Sequence, residues 1–348
     1  MTNKKVAFWI TSPRFTRMFH SFKETQGIEL FFFTREPELL KRFKNVIKIP
    51  SPYSDCSNVL KTLKDNKIDM IFMSHIQPEF LTRYSGKKIF FSHGLFDNSP
   101  ITRDIVAKLY IDRMNDFDKL LVPDKISTEM CVSYFGIDDN KIVPEIYLPF
   151  DSLYEVKNKN IPVEKIITIA DYGFDIKDTD IGKDYDNRFF SLLSVLHEFC
   201  LNNKFNLYIK LKERKSAEIF KKDSRSKKIV SHANVKMLGT DDVEYLKKSS
   251  SLFIIRSPSM EIESLFFDIP TIIVRDKSED FNDSIKYGAC FNLPKEDINI
   301  KKVTEIMSVA LKDKTIIERR KDYIKYLNIN FNGTNATRLM EMIKNNKI

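Results

Sequence analysis

Leu252 to Val274 reads LFIIRSPSMEIESLFFDIPTIIV, and this stretch predicts one unit of a parallel sheet. Two apolar runs, Leu252–Ile255 and Thr271–Val274, are rich in Ile, Val and Phe and are typical of buried strands. A Ser-Pro-Ser turn and a helical segment that opens at Glu261 lie between them. Strand, turn, helix and strand in this order indicate an α/β fold whose neighbouring strands run in parallel.

The turn in this stretch is a candidate phosphate site. In parallel sheets, ligands bind beyond the carboxyl ends of the strands, where free N–H groups at a helix N-terminus can hold an anion. That place is occupied here by Arg256, Ser257, Ser259, Met260 and Glu261, with Glu263 two residues further on. Serine also caps helices throughout soluble proteins, so each serine has a purely structural alternative.

The same alternation of strands and helices extends along most of the chain. Strands are expected in the first half at Val6–Ile10, Ile28–Phe33, Val46–Ile49, Met70–Met73, Lys88–Ser92 and Lys119–Val122, and in the second at Lys165–Ala170, Phe205–Leu211 and Val235–Leu238. Helices are expected at Arg14–Glu24, Pro37–Phe43, Ser57–Asp65, Ile101–Arg113, Ser127–Phe135, Asn187–Leu201 and Asp241–Lys247, with three more after Ile298. This pattern predicts parallel sheets covered on both faces.

Two domains are expected, because 348 residues exceed the ~250–300 at which a single core stops growing. The segment from Leu148 to Glu164 contains two prolines and no clear apolar period, and we place the linker there. The predicted organisation is a Rossmann-like acceptor domain at 1–150, a Rossmann-like nucleotide-donor domain at 163–330, and a helix at 331–348 that packs back on the first domain. The carboxyl ends of the two sheets would face each other across a cleft.

Composition narrows the class of protein. No apolar run reaches the ~18 residues of a membrane span, and the N-terminus lacks a signal-peptide core, so a cytoplasmic protein is expected. The net charge of +9 is spread along the chain rather than gathered in one arm, which argues against nucleic acid. Phosphate-bearing substrates, or peripheral contact with the inner face of an anionic membrane, fit this charge better.

Two histidines are candidate catalytic bases. His93 follows a predicted strand in the sequence Ser92-His93-Gly94, where the glycine allows a ligand to approach the backbone closely. His75 also ends a strand and is the second candidate. Each has a structural alternative, a partly buried histidine that hydrogen-bonds the main chain.

Charged residues at other strand ends complete the expected site. Lys210 and Lys212 end a predicted strand and can neutralise a diphosphate, although a solvated charge run is the commoner explanation. Asp171 and Tyr172 open an acidic segment to Asp186 that we expect to be a flexible loop lining the cleft. Its Asp-x-Asp does not have the spacing of a calcium loop, and no metal or cofactor is expected.

In the order of these motifs the chain resembles the two-domain GT-B glycosyltransferases, and most of all the branch of CDP-glycerol glycerophosphotransferases and related capsule and teichoic-acid enzymes. The resemblance lies in Ser92-His93-Gly94, in the segments Asp118–Gly136 and Ser257–Pro270, and in Gly333–Ala336. It implies that His93 is the catalytic base and that the serine-containing turn binds the donor phosphates.

The expected activity is therefore a metal-independent transfer of a sugar or polyol-phosphate group from a CDP-, CMP- or UDP-linked donor. The acceptor would be a bacterial surface polysaccharide or its lipid-linked precursor, with Ser92, Gly94, Asp171 and Tyr172 on the acceptor side. Two alternatives stay open. One is a sugar-nucleotide 2-epimerase, which converts the donor without an acceptor, and the other is a non-catalytic scaffold that binds a nucleotide or a glycan.

Overall fold

A computed structural model describes residues 3–10, 17–23, 25–49, 56–91, 113–158, 162–171, 180–211, 218, 220–238, 249–256, 261, 264–275 and 283–348. The chain divides into two compact units. The first unit comprises Met1–Glu155 and Tyr326–Ile348, and the second comprises Val156–Lys325. Among the described residues, no helix combines the length and apolar character needed to cross a membrane.

Each unit is built on one sheet whose described strand pairs are all parallel. The strands of the first sheet are β1 (Lys4–Trp9), β2 (Ile28–Thr34), β3 (Asn45–Lys48), β4 (Met70–Met73), β5 (Lys87–Phe91), β6 (Lys119–Leu121) and β7 (Ile142–Val143), in the spatial order β3-β2-β1-β4-β5-β6-β7. Those of the second are β8 (Ile166–Asp171), β9 (Asn206–Leu211), β10 (Val235–Met237), β11 (Leu252–Ile255), β12 (Thr271–Arg275) and β13 (Phe291–Pro294), in the order β10-β9-β8-β11-β12-β13.

Helices connect these strands. In chain order they are α1 (Cys56–Asp65), α2 (Pro78–Arg83), α3 (Lys125–Glu129), α4 (Pro149–Lys157), α5 (Asp180–Asn203), α6 (Ser224–Val230), α7 (Asp283–Lys286), α8 (Ile300–Lys312), α9 (Ile316–Leu327) and α10 (Asn335–Lys344). Short 3₁₀ helices occur at Arg17–Ser21, Pro37–Leu40, Asp139–Lys141 and Lys295–Asp297, and a π-helical turn at Met130–Tyr134 follows α3. The predicted alternation is thereby confirmed for the described residues, including the three helices after Ile298.

The central strand β1 shows why the first sheet is covered on both faces. Successive side chains of a strand point to opposite faces, and those of Val6 through Trp9 are all buried. Phe8 packs edge-on against Phe19, with ring centroids 4.9 Å apart, in a core that includes buried residues of α10. Ala7 and Trp9 belong to the opposite core, together with Val59 of α1. A strand buried on both faces reads as a continuous apolar run, as seen in the sequence.

The two compact units divide between Glu155 and Val156, inside the segment where the linker was expected. This segment contains α4, in which Phe150, Leu153 and Val156 are buried on one side of the helix despite the charged residues between them. Two expectations about local structure are wrong. The expected acidic loop is helical from Asp180 onward, where an acidic side chain is favourable at a helix N-terminus. Of the helix expected at Arg14–Glu24, the described residues form a 3₁₀ turn.

The sequence analysis also missed the strands β7 and β13. Each lies at one edge of its sheet and is short, and β13 has only one fully buried residue, Leu293. The strand β7 has only two residues, both buried, and the partly exposed β13 lacks the apolar run by which the central strands were recognised. The signal for these two strands was therefore weak.

The last helix is fixed to the first unit by a buried carboxylate. Asp151, which is 2% exposed, accepts hydrogen bonds from the backbone N–H groups of Asn335 at 2.9 Å and Ala336 at 2.7 Å. It also accepts one from the Asn335 side-chain amide at 2.9 Å. These bonds satisfy N–H groups that a helix leaves unpaired in its first turn. The turn before α10 requires Gly333, whose φ is +74° and whose added Cβ would lie 2.5 Å from Cδ1 of Tyr154.

Replacing Asp151 with Ala should destabilise the first unit by about 2–4 kcal/mol, because three hydrogen bonds to a buried charged acceptor are lost. Urea unfolding followed by the fluorescence of Trp9, the single tryptophan, reports on this unit. Asp138→Ala removes an exposed cap from the turn at Asp139–Lys141 and should cost less than ~1 kcal/mol. Equal losses in both variants would contradict this role for Asp151.

Candidate functional site

Both sheets reverse their strand order beside a central strand. In the first unit β1 lies between β2 and β4, and in the second unit β8 lies between β9 and β11. Where the order reverses, consecutive crossovers leave in opposite directions and open a crevice at the carboxyl ends of the strands. Among the described strands, the topological switch point lies between β1 and β4 in the first unit and between β8 and β11 in the second.

In the first unit the switch point is lined by His75. It follows β4 closely, is 7% exposed, and packs edge-on against Trp9 with ring centroids 4.9 Å apart. Trp9 ends β1 and is paired with Met73 across the switch point, and it also contacts Phe80 with ring centroids 5.1 Å apart. Aromatic packing thus holds the imidazole at the edge where the fold places ligands. An imidazole at such an edge can transfer protons.

The other predicted residues of the first unit cannot be placed in the same way. The strand β5 ends at Phe91, and Ser92, His93 and Gly94 follow it outside the described residues. Their roles stay predictions from the sequence.

In the second unit the switch point is bridged by Arg256. Its backbone N–H donates to the Ala170 carbonyl at 3.0 Å, which continues the pairing of β11 with β8 by one residue. Its guanidinium carbon lies 5.5 Å from the ring centroid of Phe189, a residue of α5. A cation over an aromatic face is stabilised by the ring quadrupole. Main chain and side chain of Arg256 are both held at the carboxyl edge of the sheet.

A second cation, Lys210, lies at the same edge. It is paired with Ala170 in the register of β8 and β9, and its ammonium donates to the Leu211 carbonyl at 2.7 Å. Asp171 ends β8 and is paired with Leu211. Tyr172 and Lys212 lie outside the described residues. The structure therefore brings Lys210, Asp171 and Arg256 to the carboxyl ends of three adjacent strands.

Glu261 has a less exposed position than the sequence suggested. It is 5% exposed. Burial and, to a smaller extent, the charge of the Glu261 carboxylate raise the pKa of the Cys290 thiol to about 12. The residues at 261 and 264–266 are helical, in agreement with the helix expected after the turn. Ser257, Ser259, Met260 and Glu263 lie outside the described residues.

One carboxylate at the carboxyl edge of the first sheet was not among the predicted site residues. Asp124 follows β6, is 4% exposed, and accepts hydrogen bonds from the Ser127 backbone N–H at 2.8 Å and hydroxyl at 3.0 Å. Burial raises its pKa to about 6, against the opposing effect of these bonds. Its signal in the sequence was a Pro-Asp pair directly after an apolar run, with Ser127 at capping distance. Asp124 caps α3 and can also hold a proton near neutral pH.

Comparison with known proteins identifies the fold. Neither protein-family sequence models nor proteins of curated function give a match. Among solved structures, the chain is similar to the Methanocaldococcus jannaschii UDP-GlcNAc 2-epimerase in complex with UDP-GlcNAc and UDP, at 14% identity, with a TM-score of 0.68 over 98% of this chain and 99% of that one.

Two further structures agree. The Neisseria meningitidis UDP-GlcNAc 2-epimerase bound to UDP-GlcNAc is 13% identical, with a TM-score of 0.62 and coverage of 98% and 100%. A glycosyltransferase from Rickettsia africae is also 13% identical, with a TM-score of 0.60 and 99% of both chains covered. These likenesses show the fold, which consists of two parallel-sheet α/β domains of the GT-B-like Rossmann type.

The raised pKa of Asp124 predicts a pH-dependent contribution to stability. A carboxyl whose folded pKa exceeds its unfolded value of 3.8 favours the fold at low pH, and this contribution is lost as the pH rises through about 6. The stability of wild type relative to Asp124→Asn should therefore fall by about 2 kcal/mol between about pH 4 and pH 7.

Trp9 fluorescence during urea unfolding at each pH measures this difference. Ser127→Ala is the matched variant, because it removes a hydroxyl that lowers the pKa of Asp124 and should shift the transition to higher pH. Parallel pH profiles for wild type and Asp124→Asn would contradict the raised pKa.

Proposed function

We propose that this protein is an enzyme that binds a nucleotide-activated sugar and inverts the sugar at C2, as a UDP-N-acetylhexosamine 2-epimerase. The proposal is carried by one observation, the near full-length likeness to UDP-GlcNAc 2-epimerases from two organisms, both with the nucleotide sugar bound. This is the alternative reading of the sequence, and it is now favoured over transfer to a polysaccharide.

The second unit contains cationic side chains that can bind the nucleotide diphosphate. Arg256 and Lys210 bring two cations to the carboxyl ends of β11 and β9, and a guanidinium can donate two parallel hydrogen bonds to a phosphate. The turn that follows Arg256, with Ser257 and Ser259, is the predicted source of further hydroxyl and amide donors. Together these groups would neutralise the two negative charges of the diphosphate without a metal ion.

The first unit contains histidines that can transfer protons. Inversion at C2 needs a base that removes the C2 proton while the electron pair forms a C1–C2 double bond and UDP leaves from C1. An acid must then return a proton to the opposite face of C2 as UDP bonds to C1 again. His75 is held at the switch point against Trp9, and His93 is predicted at the end of the next strand. We assign the proton transfers to these two histidines.

A glycosyltransferase is the second candidate, and a specific observation favours it. The Rickettsia africae glycosyltransferase has the same fold over the whole chain, and the motifs around His93 and Ser257 resemble those of CDP-glycerol-type transferases. In this case His93 would deprotonate an acceptor hydroxyl on a surface polysaccharide or its lipid-linked precursor.

Incubating the protein with UDP-GlcNAc alone in deuterium oxide distinguishes these functions. An epimerase should produce the C2 epimer, UDP-N-acetylmannosamine, and proton NMR should show deuterium at C2, because a proton that is removed and returned exchanges with solvent. His75→Gln should lower the rate by at least roughly 10²-fold, the usual contribution of a general acid or base. His232→Gln, at an exposed histidine that precedes β10, is the matched control and should retain activity.

Other results of this experiment would support the other candidate functions. Release of UDP only when an acceptor is added would favour the transferase, and binding without turnover under either condition would favour a scaffold. Failure of UDP-GlcNAc and UDP to bind at all would contradict the proposal.

A further inference from the structure

A buried chain of polar groups holds the helical residues that follow the switch point of the second unit. Arg320, on α9, donates from Nη2 to the Thr271 hydroxyl at 3.1 Å. The Thr271 and Ser264 hydroxyl oxygens are 2.8 Å apart, and the Ser264 hydroxyl lies 2.6 Å from the Glu261 carbonyl. The side chains of Arg320, Thr271 and Ser264 are all 0% exposed, so water does not compete for these bonds.

The direction of the bonds follows from the number of hydrogens. A hydroxyl has one hydrogen to donate. Ser264 donates its hydrogen to the Glu261 carbonyl, so its oxygen can only accept from Thr271, and the Thr271 oxygen accepts from Arg320. The Ile269 carbonyl lies 2.9 Å from the Thr271 hydroxyl and is the alternative acceptor. Bonds that run donor to acceptor in one direction polarise and strengthen each other.

Placing a guanidinium in this position is costly. Burial lowers the pKa of Arg320, which means that the surroundings disfavour its charge. Its Nε also donates to the Ala289 carbonyl at 2.9 Å, in the segment before β13. The bonds from Nη2 and Nε offset part of this cost. The arginine therefore links α9, the start of β12 and the segment before β13 to the helical residues at 261 and 264–266.

We propose that Arg320, Thr271 and Ser264 are positioning residues for nucleotide binding, and this inference rests on the proposed function. By anchoring the Glu261 carbonyl, the chain restrains the backbone of Glu261, whose N–H belongs to the predicted phosphate-binding turn. None of the three residues touches the nucleotide. They act by keeping an amide donor in place before the ligand arrives, so less entropy is lost on binding.

Thr271→Val tests the inference, because valine has nearly the shape of threonine but can neither accept from Arg320 nor donate to Ser264. The dissociation constant for UDP, measured by titration calorimetry, should rise roughly two- to tenfold, as expected for one hydrogen bond. Thr271→Ser restores the hydroxyl and should recover most of the affinity. In hydrogen exchange, the peptide that covers 261–267 should exchange faster in Thr271→Val than in wild type.

Thr168→Val is the matched control. Thr168 is a buried threonine of the same sheet, and its hydroxyl bonds Ser250 at 2.7 Å rather than the helical residues after the switch point. Both valine variants should lose thermal stability, but Thr168→Val should bind UDP as wild type does.

The outcomes separate this inference from the proposed function. If Thr271→Val binds UDP as tightly as wild type, or if Thr168→Val loses as much affinity, the positioning role is overturned. If wild type does not bind UDP, the proposed function fails, and the positioning role for nucleotide binding fails with it. Faster exchange at 261–267 in Thr271→Val would then still establish that the chain restrains this segment.

Discussion

The reversal of strand order beside β1 and beside β8 is the constraint on which the candidate site depends. Because every described strand pair is parallel, all strands of a sheet end at the same edge, and a crevice can open only where consecutive crossovers leave in opposite directions. Trp9 and His75 meet at one such point, and Ala170 and Arg256 at the other. These residues lie at the candidate site because the two central strands end there. The strand order that brings them together is not apparent from the sequence.

In each unit, a buried charged side chain is the centre of a hydrogen-bond network. In the first unit the Asp151 carboxylate caps the last helix, and in the second the Arg320 guanidinium begins the chain that ends at the Glu261 carbonyl. Both side chains are almost completely buried, and their hydrogen bonds offset part of the cost of burying a charge. Each network joins segments that are far apart in sequence.

Much of the fold was predictable from the sequence because central strands of parallel sheets are continuous apolar runs, as in Leu252–Ile255 and Met70–Met73. The edge strands β7 and β13 and the helix α4 were missed, because their apolar residues are few or are separated by charges. Arg256 and Lys210 were predicted at strand ends, and the structure places them there. Asp124, the burial of Glu261 and the role of Arg320 were beyond prediction, because each depends on contacts between distant segments.

We propose that the second unit binds a nucleotide diphosphate at the carboxyl ends of β8, β9 and β11. A crystal structure of the protein with UDP bound tests this most directly. We expect the diphosphate within hydrogen-bonding distance of the segment that begins at Arg256, with the Arg256 guanidinium or the Lys210 ammonium facing its oxygens. Electron density for UDP at any other place, such as the amino ends of these strands, would contradict the claim.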